Sequence, residues 1–257
     1  MVVGFIGSGN MAAAMARGWS ASEHDAPSKM LFTDSGSGRA TALANEVGGD
    51  AVASNADLVK ASDFVVLAMK PSGLDAVAES LPTPRAILSL LGATKVSRLV
   101  ELFPDSTVLR LMPNLAVEAG RGVIAVAEPE GSDPQVIADA LKLLGSLASV
   151  VELADDQMDA ATAVMGCSPA YFAVVADALA KAGVKEGLDP VVSLHMVAES
   201  LAGTAELLQR RTPFEIQVAV ASPGGSTEAG LEAFNEARGS EAFEAAAAAS
   251  LARMRGN

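Results

Sequence analysis

The sequence predicts an α/β chain, with a Rossmann-like, mostly parallel sheet domain over residues 1–153 followed by an all-helical domain over residues 154–257. Three observations carry this expectation. Short runs that are apolar throughout alternate with amphipathic segments in the first half, the pattern of parallel strands covered on both faces. The first such run leads directly into a glycine-rich turn that opens a helix. Beyond Ala154 no β-branched run is bounded by turns, and helix punctuation takes over.

The elements follow in order. Val2–Ile6 reads as the first strand, Gly7-Ser8-Gly9 as a turn, and the segment up to Trp19 as a helix. Met30–Thr33 is the second apolar run and closes at Asp34. Phe64–Met69 is the third, ended by Lys70-Pro71. Ala86–Leu91 and Thr107–Met112 repeat the pattern, and Val123–Val126 and Ser149–Leu153 are expected as edge strands. Leu74–Leu81 and Pro134–Leu144 are amphipathic segments between them. In the second half, Pro169 opens a helix that Gly183 is expected to close. Asp189-Pro190 pairs an N-cap with proline at the first helical position. Thr212-Pro213-Phe214-Glu215 reads as a capping box. Gly239-Ser240 is expected to separate the last two helices. This half is rich in Ala and poor in large anchors, so it is expected to complete its core against a second copy.

Composition narrows the function. Lys and Arg number 18 against 31 Asp and Glu, giving a net charge of −13, and aromatics are 4% of residues. That balance argues against nucleic-acid binding, which needs basic surface and often stacking aromatics. A single cysteine, Cys167, and two histidines, His24 and His195, argue against a disulfide framework and against a Cys/His metal site, so no metal is expected. No unbroken run of apolar residues reaches the roughly 18 of a membrane span, so none is expected, and the apolar strand beginning at Val2 leaves no room for a signal peptide. A cytoplasmic protein in a reducing compartment is the expectation.

Gly7-Ser8-Gly9-Asn10-Met11-Ala12 matches the dinucleotide fingerprint in its required setting of strand, turn and helix. Gly7 permits the tight turn, Gly9 lets backbone approach a pyrophosphate, and Ala12 lets the helix pack closely on the strand. The helix N-terminus supplies N–H donors and partial positive charge. Ser8, Asn10 and Met11 complete this cofactor-binding turn. Asp34 ends the second strand, where an acidic residue binds the ribose hydroxyls of NAD; alternatively it only starts a turn. Ser35, Ser37 and Arg39 follow at once and could receive a 2′-phosphate, so NADH and NADPH both remain open as cofactors.

From Phe5 to Ala12 the sequence resembles the pyrroline-5-carboxylate reductase family. The resemblance continues at Val66-Leu67-Ala68-Met69-Lys70-Pro71, at Arg110-Leu111-Met112-Pro113-Asn114, and at Thr162-Ala163 with Gly166-Cys167-Ser168-Pro169-Ala170-Tyr171. It ends at Ser222-Pro223-Gly224-Gly225-Ser226-Thr227 with Ala229-Gly230-Leu231, the most specific block. The blocks keep the family's order over nearly the whole chain. The resemblance implies reduction of 1-pyrroline-5-carboxylate to proline with NADPH or NADH, and a helical dimerisation domain that interlocks with a partner chain, giving a homodimer or an oligomer of dimers. It implies that the Thr227 hydroxyl bonds the ring nitrogen, and that the loop amides of Gly224 and Gly225, with Ser226, hold the carboxylate. Two stretches depart from the family: Leu115-Ala116 stands where Thr-Pro is usual, and Leu91-Gly92-Ala93 where Ala-Ala-Gly is usual. Both are expected where nicotinamide meets substrate, and they keep another cyclic imine open as the substrate.

The remaining candidates carry bland alternatives. Ala68, Lys70 and Pro71 lie at a strand end on the expected cofactor side, with Lys70 either facing the cofactor or solvated. Asn114 either bonds the nicotinamide side or orders its loop. Glu228 suits the positive end of a helix. Cys167 has no base in readable relation to it and is expected to be a small buried residue. Tyr171 is expected to pack in a core with its hydroxyl satisfied. A 3-hydroxyacid dehydrogenase would need a helical lysine as acid/base, and Lys181 and Lys185 flank Gly183 at a helix end, poorly placed for it. A non-catalytic dinucleotide sensor would leave the Ser222–Thr227 loop without a purpose.

Overall fold

The computed structural model describes residues 1–127 and 133–256. Among them, the first part carries β1 (Val2–Ile6), α1 (Asn10–Ala21), β2 (Lys29–Thr33), α2 (Arg39–Val47), β3 (Asp50–Ala51), α3 (Asn55–Ala61), β4 (Phe64–Leu67) and α4 (Leu74–Ser80). It continues with β5 (Ala86–Ser89), α5 (Val96–Leu102), β6 (Thr107–Pro113), β7 (Gly122–Ala127), α6 (Pro134–Gly145) and β8 (Ala148–Leu153). The strands form one sheet in the order β3-β2-β1-β4-β5-β6-β7-β8. Strands β1 to β6 run parallel, β7 is antiparallel to β6, and β8 is parallel to β7. The chain reverses between β1 and β4, so the β1–α1 turn lies at a topological switch point, where open α/β sheets bind ligands.

Two corrections concern the sheet. β7 was expected at an edge but lies between β6 and β8. Its apolar residues fit an interior place, since Ile124, Ala125, Val126 and Ala127 are all buried. β3 was not anticipated: it is two exposed residues that pair with Leu31 and Phe32, and it carries no apolar run.

The sheet separates two apolar layers, because alternate residues of a strand face opposite sides. Phe5 of β1 packs on one face with Phe32 stacked at 5.2 Å and Trp19 tilted at 6.0 Å. The Trp19 indole N–H donates to Leu143 O at 3.3 Å and to Ser146 Oγ at 3.1 Å, which joins α1 to α6. Ile6, the next residue, packs on the other face with Leu31, Leu67 and Ile87. Both faces are covered, as continuous apolar runs require.

The second part is helical: α7 (Met158–Ala161), a π-helical turn at Thr162–Gly166, α8 (Ser168–Lys185), α9 (Pro190–Leu208), α10 (Pro213–Val220), α11 (Ser226–Glu236) and α12 (Gly239–Met254). Two caps form as the sequence indicates. Asp189 accepts from the N–H groups of Val191 and Val192, and Thr212 and Glu215 cap α10 reciprocally. Two boundaries differ. Gly183 does not end α8; it lies inside the helix, where an added Cβ would overlap the Ser193 hydroxyl, which donates to Ala180 O at 2.9 Å, so the close approach of α9 and not helix termination calls for glycine. The last two helices part at Ala237 and Arg238, with Arg238 in the left-handed region at φ 56°, and Gly239 already belongs to α12.

By contacts the chain divides into two compact units, Met1–Cys167 with Leu251–Asn257, and Ser168–Ser250. The second unit leaves large apolar side chains uncovered, among them Phe172 at 58%, Val191 at 77% and Phe214 at 73% exposure. The helical segments Asp155–Lys185 and Pro190–Leu208 have mean hydropathies of 1.5 and 1.2 over their most apolar windows, long and apolar enough to cross a membrane by length and composition alone. Such surface needs covering, by lipid or by protein.

Candidate active site

The cofactor turn is built where β1 ends. Gly7 sits at φ +100°, and a Cβ there would fall 2.7 Å from the backbone of Ala68 and Met69, so only glycine fits. Its N–H donates to Thr33 O at 3.1 Å, and the Ser8 hydroxyl donates to the same carbonyl at 3.1 Å. Gly9 is the N-cap of α1 and offers no side chain to the first-turn N–H groups. A Cβ on Gly9 would meet only Ala68 O, at 3.9 Å. No side chain caps the first-turn N–H groups of α1 beside this bare glycine, the cradle that a pyrophosphate fits. Ala12 is fully buried and gives the close packing of helix on sheet. No acidic side chain stands in the first turn of α1 to oppose an anion.

Asp34 behaves as a turn residue. One carboxylate oxygen accepts from Gly36 N at 2.7 Å and Ser37 N at 3.0 Å; the other accepts from Ser37 Oγ at 3.0 Å and Ala40 N at 2.7 Å. The Ala40 N–H holds the carboxyl below the ordinary carboxylate range. Desolvation opposes this, and the Gly36 and Ser37 donors add to it. A carboxylate has roughly four acceptor positions, so a ribose hydroxyl would have to displace one of these bonds. α2 has Gly38 at its N-cap, which has no side chain to offer; Asp34 caps the Ala40 N–H from outside the helix, and Ser37 Oγ accepts from Arg39 N at 3.5 Å. Ser35, Ser37 and Arg39 are exposed on the same loop.

Ala68, Met69 and Lys70 follow β4. Ala68 is half-buried under the Gly7 turn, Lys70 is exposed, and Pro71 starts a short 3-10 turn. Asn114 is buried, and its amide ties its loop together. Its Nδ2 donates to Met165 O at 3.3 Å, and its Oδ1 accepts from Val123 N at 3.1 Å. It joins the end of β6 to β7 and to the π-helical turn. In the departing stretch at residues 91–93, Ala93 stands in the left-handed region at φ 58°, and Gly92 has open space around it. Leu115, in place of the usual threonine, is 53% exposed.

Sequence reasoning gave Arg110 no role beyond its place in the resemblance. It is 3% exposed, and its guanidinium meets Asp155 at 2.8 Å and Asp159 at 3.7 Å. Its Nε has no hydrogen-bond partner among the described residues. A charged residue within the apolar run of β6 was the available signal. Its partners lie 45 and 49 positions further on, and only the fold brings them together.

The Ser222–Thr227 loop lies in the second unit. Ser222, Pro223, Gly224 and Gly225 form a type II turn: Gly225 N donates to Ser222 O at 2.9 Å, proline occupies the second position, and Gly224 has φ +70°. Gly224 N donates to the Glu228 carboxylate at 2.7 Å. Both glycine N–H groups, expected to hold a substrate carboxylate, are therefore engaged within the loop. The first-turn N–H groups of α11 have no side-chain cap, because Gly225 is its N-cap. Ser226 and Thr227 stand at this open end, Thr227 half-buried. Elsewhere in the unit, Tyr171 has its hydroxyl satisfied by Ser250 Oγ at 2.8 Å. Cys167, expected to be buried, is only half-buried.

The comparisons with known proteins agree with this architecture. Residues 155–256 match the family profile described as pyrroline-5-carboxylate reductase dimerisation, and residues 2–91 match that described as NADP oxidoreductase coenzyme F420-dependent. The pyrroline-5-carboxylate reductase of Synechocystis sp. is 32% identical over 234 residues, covering 89% of this chain and 88% of the relative. That of Thermus thermophilus is 38% identical over 192 residues, 73% of each chain. The crystal structure of the 1-pyrroline-5-carboxylate reductase from Streptococcus pyogenes matches with a TM-score of 0.89 at 27% identity, covering 100% of this chain and 99% of that one. Sheet and helices alike share this likeness, and the chain belongs to the pyrroline-5-carboxylate reductase family.

Proposed function

We infer that the chain reduces 1-pyrroline-5-carboxylate to L-proline with NADPH or NADH, as an oxidoreductase of proline biosynthesis. Family membership supports this, and the observation that carries it is the Ser222–Thr227 turn, whose uncapped helix start places the Ser226 and Thr227 hydroxyls side by side in the first turn. A bound dinucleotide supplies the hydride. The protein's task is to hold the imine, polarise it and keep it oriented. The first-turn N–H groups of α11 and the Ser226 hydroxyl bind the substrate carboxylate at the positive end of the helix. The Thr227 hydroxyl bonds the imine nitrogen, and this contact strengthens as the nitrogen gains electron density. Gly7, Ser8, Gly9, Asn10 and Met11 cradle the pyrophosphate. Asp34, Ser35 and Arg39 shape the adenosine end, and Ala68, Lys70, Pro71 and Asn114 frame the nicotinamide end.

Thr227→Ala tests this assignment. The expected result is a fall in kcat/KM of about 10- to 1000-fold, roughly 1.4–4 kcal/mol, with unchanged cofactor affinity. Normal turnover in a folded Thr227→Ala protein would refute the assignment of Thr227 to the imine nitrogen. Running pyrroline-5-carboxylate beside other cyclic imines on the wild type tests whether Leu115 and the 91–93 stretch redirect the substrate.

The uncovered apolar side chains of α8 to α10 support a homodimer, or a larger homo-oligomer of dimers, with the division of labour falling at the end of β8: residues 1–153 for the cofactor and 154–257 for substrate and assembly. A protein partner, not lipid, covers these helices, since the dimerisation profile spans them. The acidic charge supports a protein that binds no nucleic acid, and the single cysteine supports a cytoplasmic one. Sedimentation at micromolar concentration should give a species of at least twice 26.0 kDa; a 26.0 kDa species alone would refute the dimer.

A further inference from the structure

We propose that Glu228 is a positioning residue for the substrate loop: its carboxylate locks the central peptide of the Ser222–Gly225 turn and so keeps the α11 N-terminus open for the substrate. The proposal rests on the assignment of that loop to substrate binding. Its observation is the 2.7 Å bond from Gly224 N to Glu228 Oε2.

Type I and type II turns differ by a flip of the peptide between their two central residues. Here that peptide joins Pro223 to Gly224, and its N–H is the donor to Glu228. A flip would turn this N–H away from the carboxylate, so the bond selects the type II form, with Gly224 left-handed at φ +70°. The Ser222–Gly225 bond alone does not choose, because both turn types can make it.

The neighbouring helix α10 shows what a glutamate at the third helical position ordinarily does. Glu215 reaches back to Thr212, the N-cap itself, taking its N–H at 2.8 Å while the Thr212 hydroxyl caps Glu215 N at 3.2 Å. That end of α10 is closed by its own side chains. Glu228 occupies the same helical position in α11 but bonds one residue further out, because the Gly225 N–H is already spent on Ser222 O. Gly225 has no side chain to cap the helix. The glutamate thus orders the turn without filling the first-turn donors, and Ser226 and Thr227 remain unpaired in the hydrogen bonds of the described residues.

The test is a pair of variants assayed with pyrroline-5-carboxylate and with each dinucleotide. Glu228→Ala should raise the KM for pyrroline-5-carboxylate about tenfold or more, the scale of a lost hydrogen bond to a charged group. The KM for NADPH and NADH should stay as in wild type. Glu228→Gln keeps an acceptor for Gly224 N–H and should restore the substrate KM to within about threefold of wild type. A wild-type KM in a folded Glu228→Ala protein overturns the proposal. So does a KM that falls in both variants, which would make the carboxylate a repellent of the anionic substrate. An equal rise in both also overturns it, since charge and not the bond would then matter. Should Glu228→Ala fail to fold, Glu228→Gln decides alone: a changed substrate KM in that folded protein is the refuting result. Thr227→Ala separates the two levels. If it leaves turnover intact, the loop assignment itself fails; if it impairs turnover while Glu228→Ala does not, only the role of Glu228 fails.

Discussion

Replacing Asp34 tests whether its carboxylate serves the fold or the cofactor. Its four bonds have unequal weight. Gly36 and Ser37 are exposed, so water can replace their acceptor, whereas Ala40 is 6% exposed and its N–H lies in the first turn of α2. Asp34→Ala strands that one buried donor and removes its cap on α2, leaving the longer contact from Arg39 N to Ser37 Oγ at 3.5 Å, a loss of about 2 kcal/mol from the capping and unpaired-donor scales. Asp34→Asn can keep the Gly36 and Ser37 N–H bonds through its carbonyl, and the Ser37 hydroxyl can rotate to accept. The Ala40 bond alone is then lost, about 1 kcal/mol. For a chain of this size the melting temperature should fall by about 4–8 °C in Asp34→Ala and about 2–4 °C in Asp34→Asn. The sign with pH follows from the lowered carboxyl pKa. The stabilisation is fully present above the unfolded carboxylate pKa and is lost as pH falls through the lower folded value, so wild type and Asp34→Ala should converge at acid pH. Meanwhile kcat/KM should favour NADPH over NADH in the wild type. The Asp34 acceptors are filled internally, while the exposed Ser35 and Arg39 offer donors to a 2′-phosphate. Thermal melts from neutral to acid pH and paired cofactor kinetics check all of this. Unchanged melting with a rise of about tenfold or more in KM for NADH alone would mean that the carboxylate binds ribose, and would refute the capping argument.

Two more outcomes follow from local geometry. Gly9→Val should leave the fold intact, because the new Cβ meets only Ala68 O at 3.9 Å, yet should abolish dinucleotide binding by filling the pyrophosphate space; calorimetry with unchanged NADPH and NADH affinity would contradict the cradle. Ala93→Gly should stabilise the protein by about 0.5–1 kcal/mol, the left-handed penalty less the entropy of a glycine, since Ala93 sits at φ 58°. A melt showing Ala93→Gly to be destabilised would refute strain at this turn.

What the sequence determined by itself is local. Each continuous apolar run became a strand because a doubly covered strand needs apolar residues on both faces, and β1, β2, β4 and β5 lie within two residues of their expected limits. The Gly7–Ala12 turn was legible because only glycine fits at φ +100° against the Ala68 backbone. The caps at Asp189 and Thr212 were legible because donor and acceptor lie within three residues of each other. Gly183 misled because close approach of a second helix and helix termination both call for a residue without a side chain. Tertiary structure decided what depends on distant partners. It put β7 inside the sheet, since an apolar run fits parallel and antiparallel neighbours alike. It buried Arg110 against carboxylates from beyond β8. It also turned Asp34 back onto its own loop and Glu228 onto Gly224. A side chain's charge and reach are written in the sequence, but the donor that uses up its lone pairs is fixed only when the backbone dihedrals of the intervening turn are set.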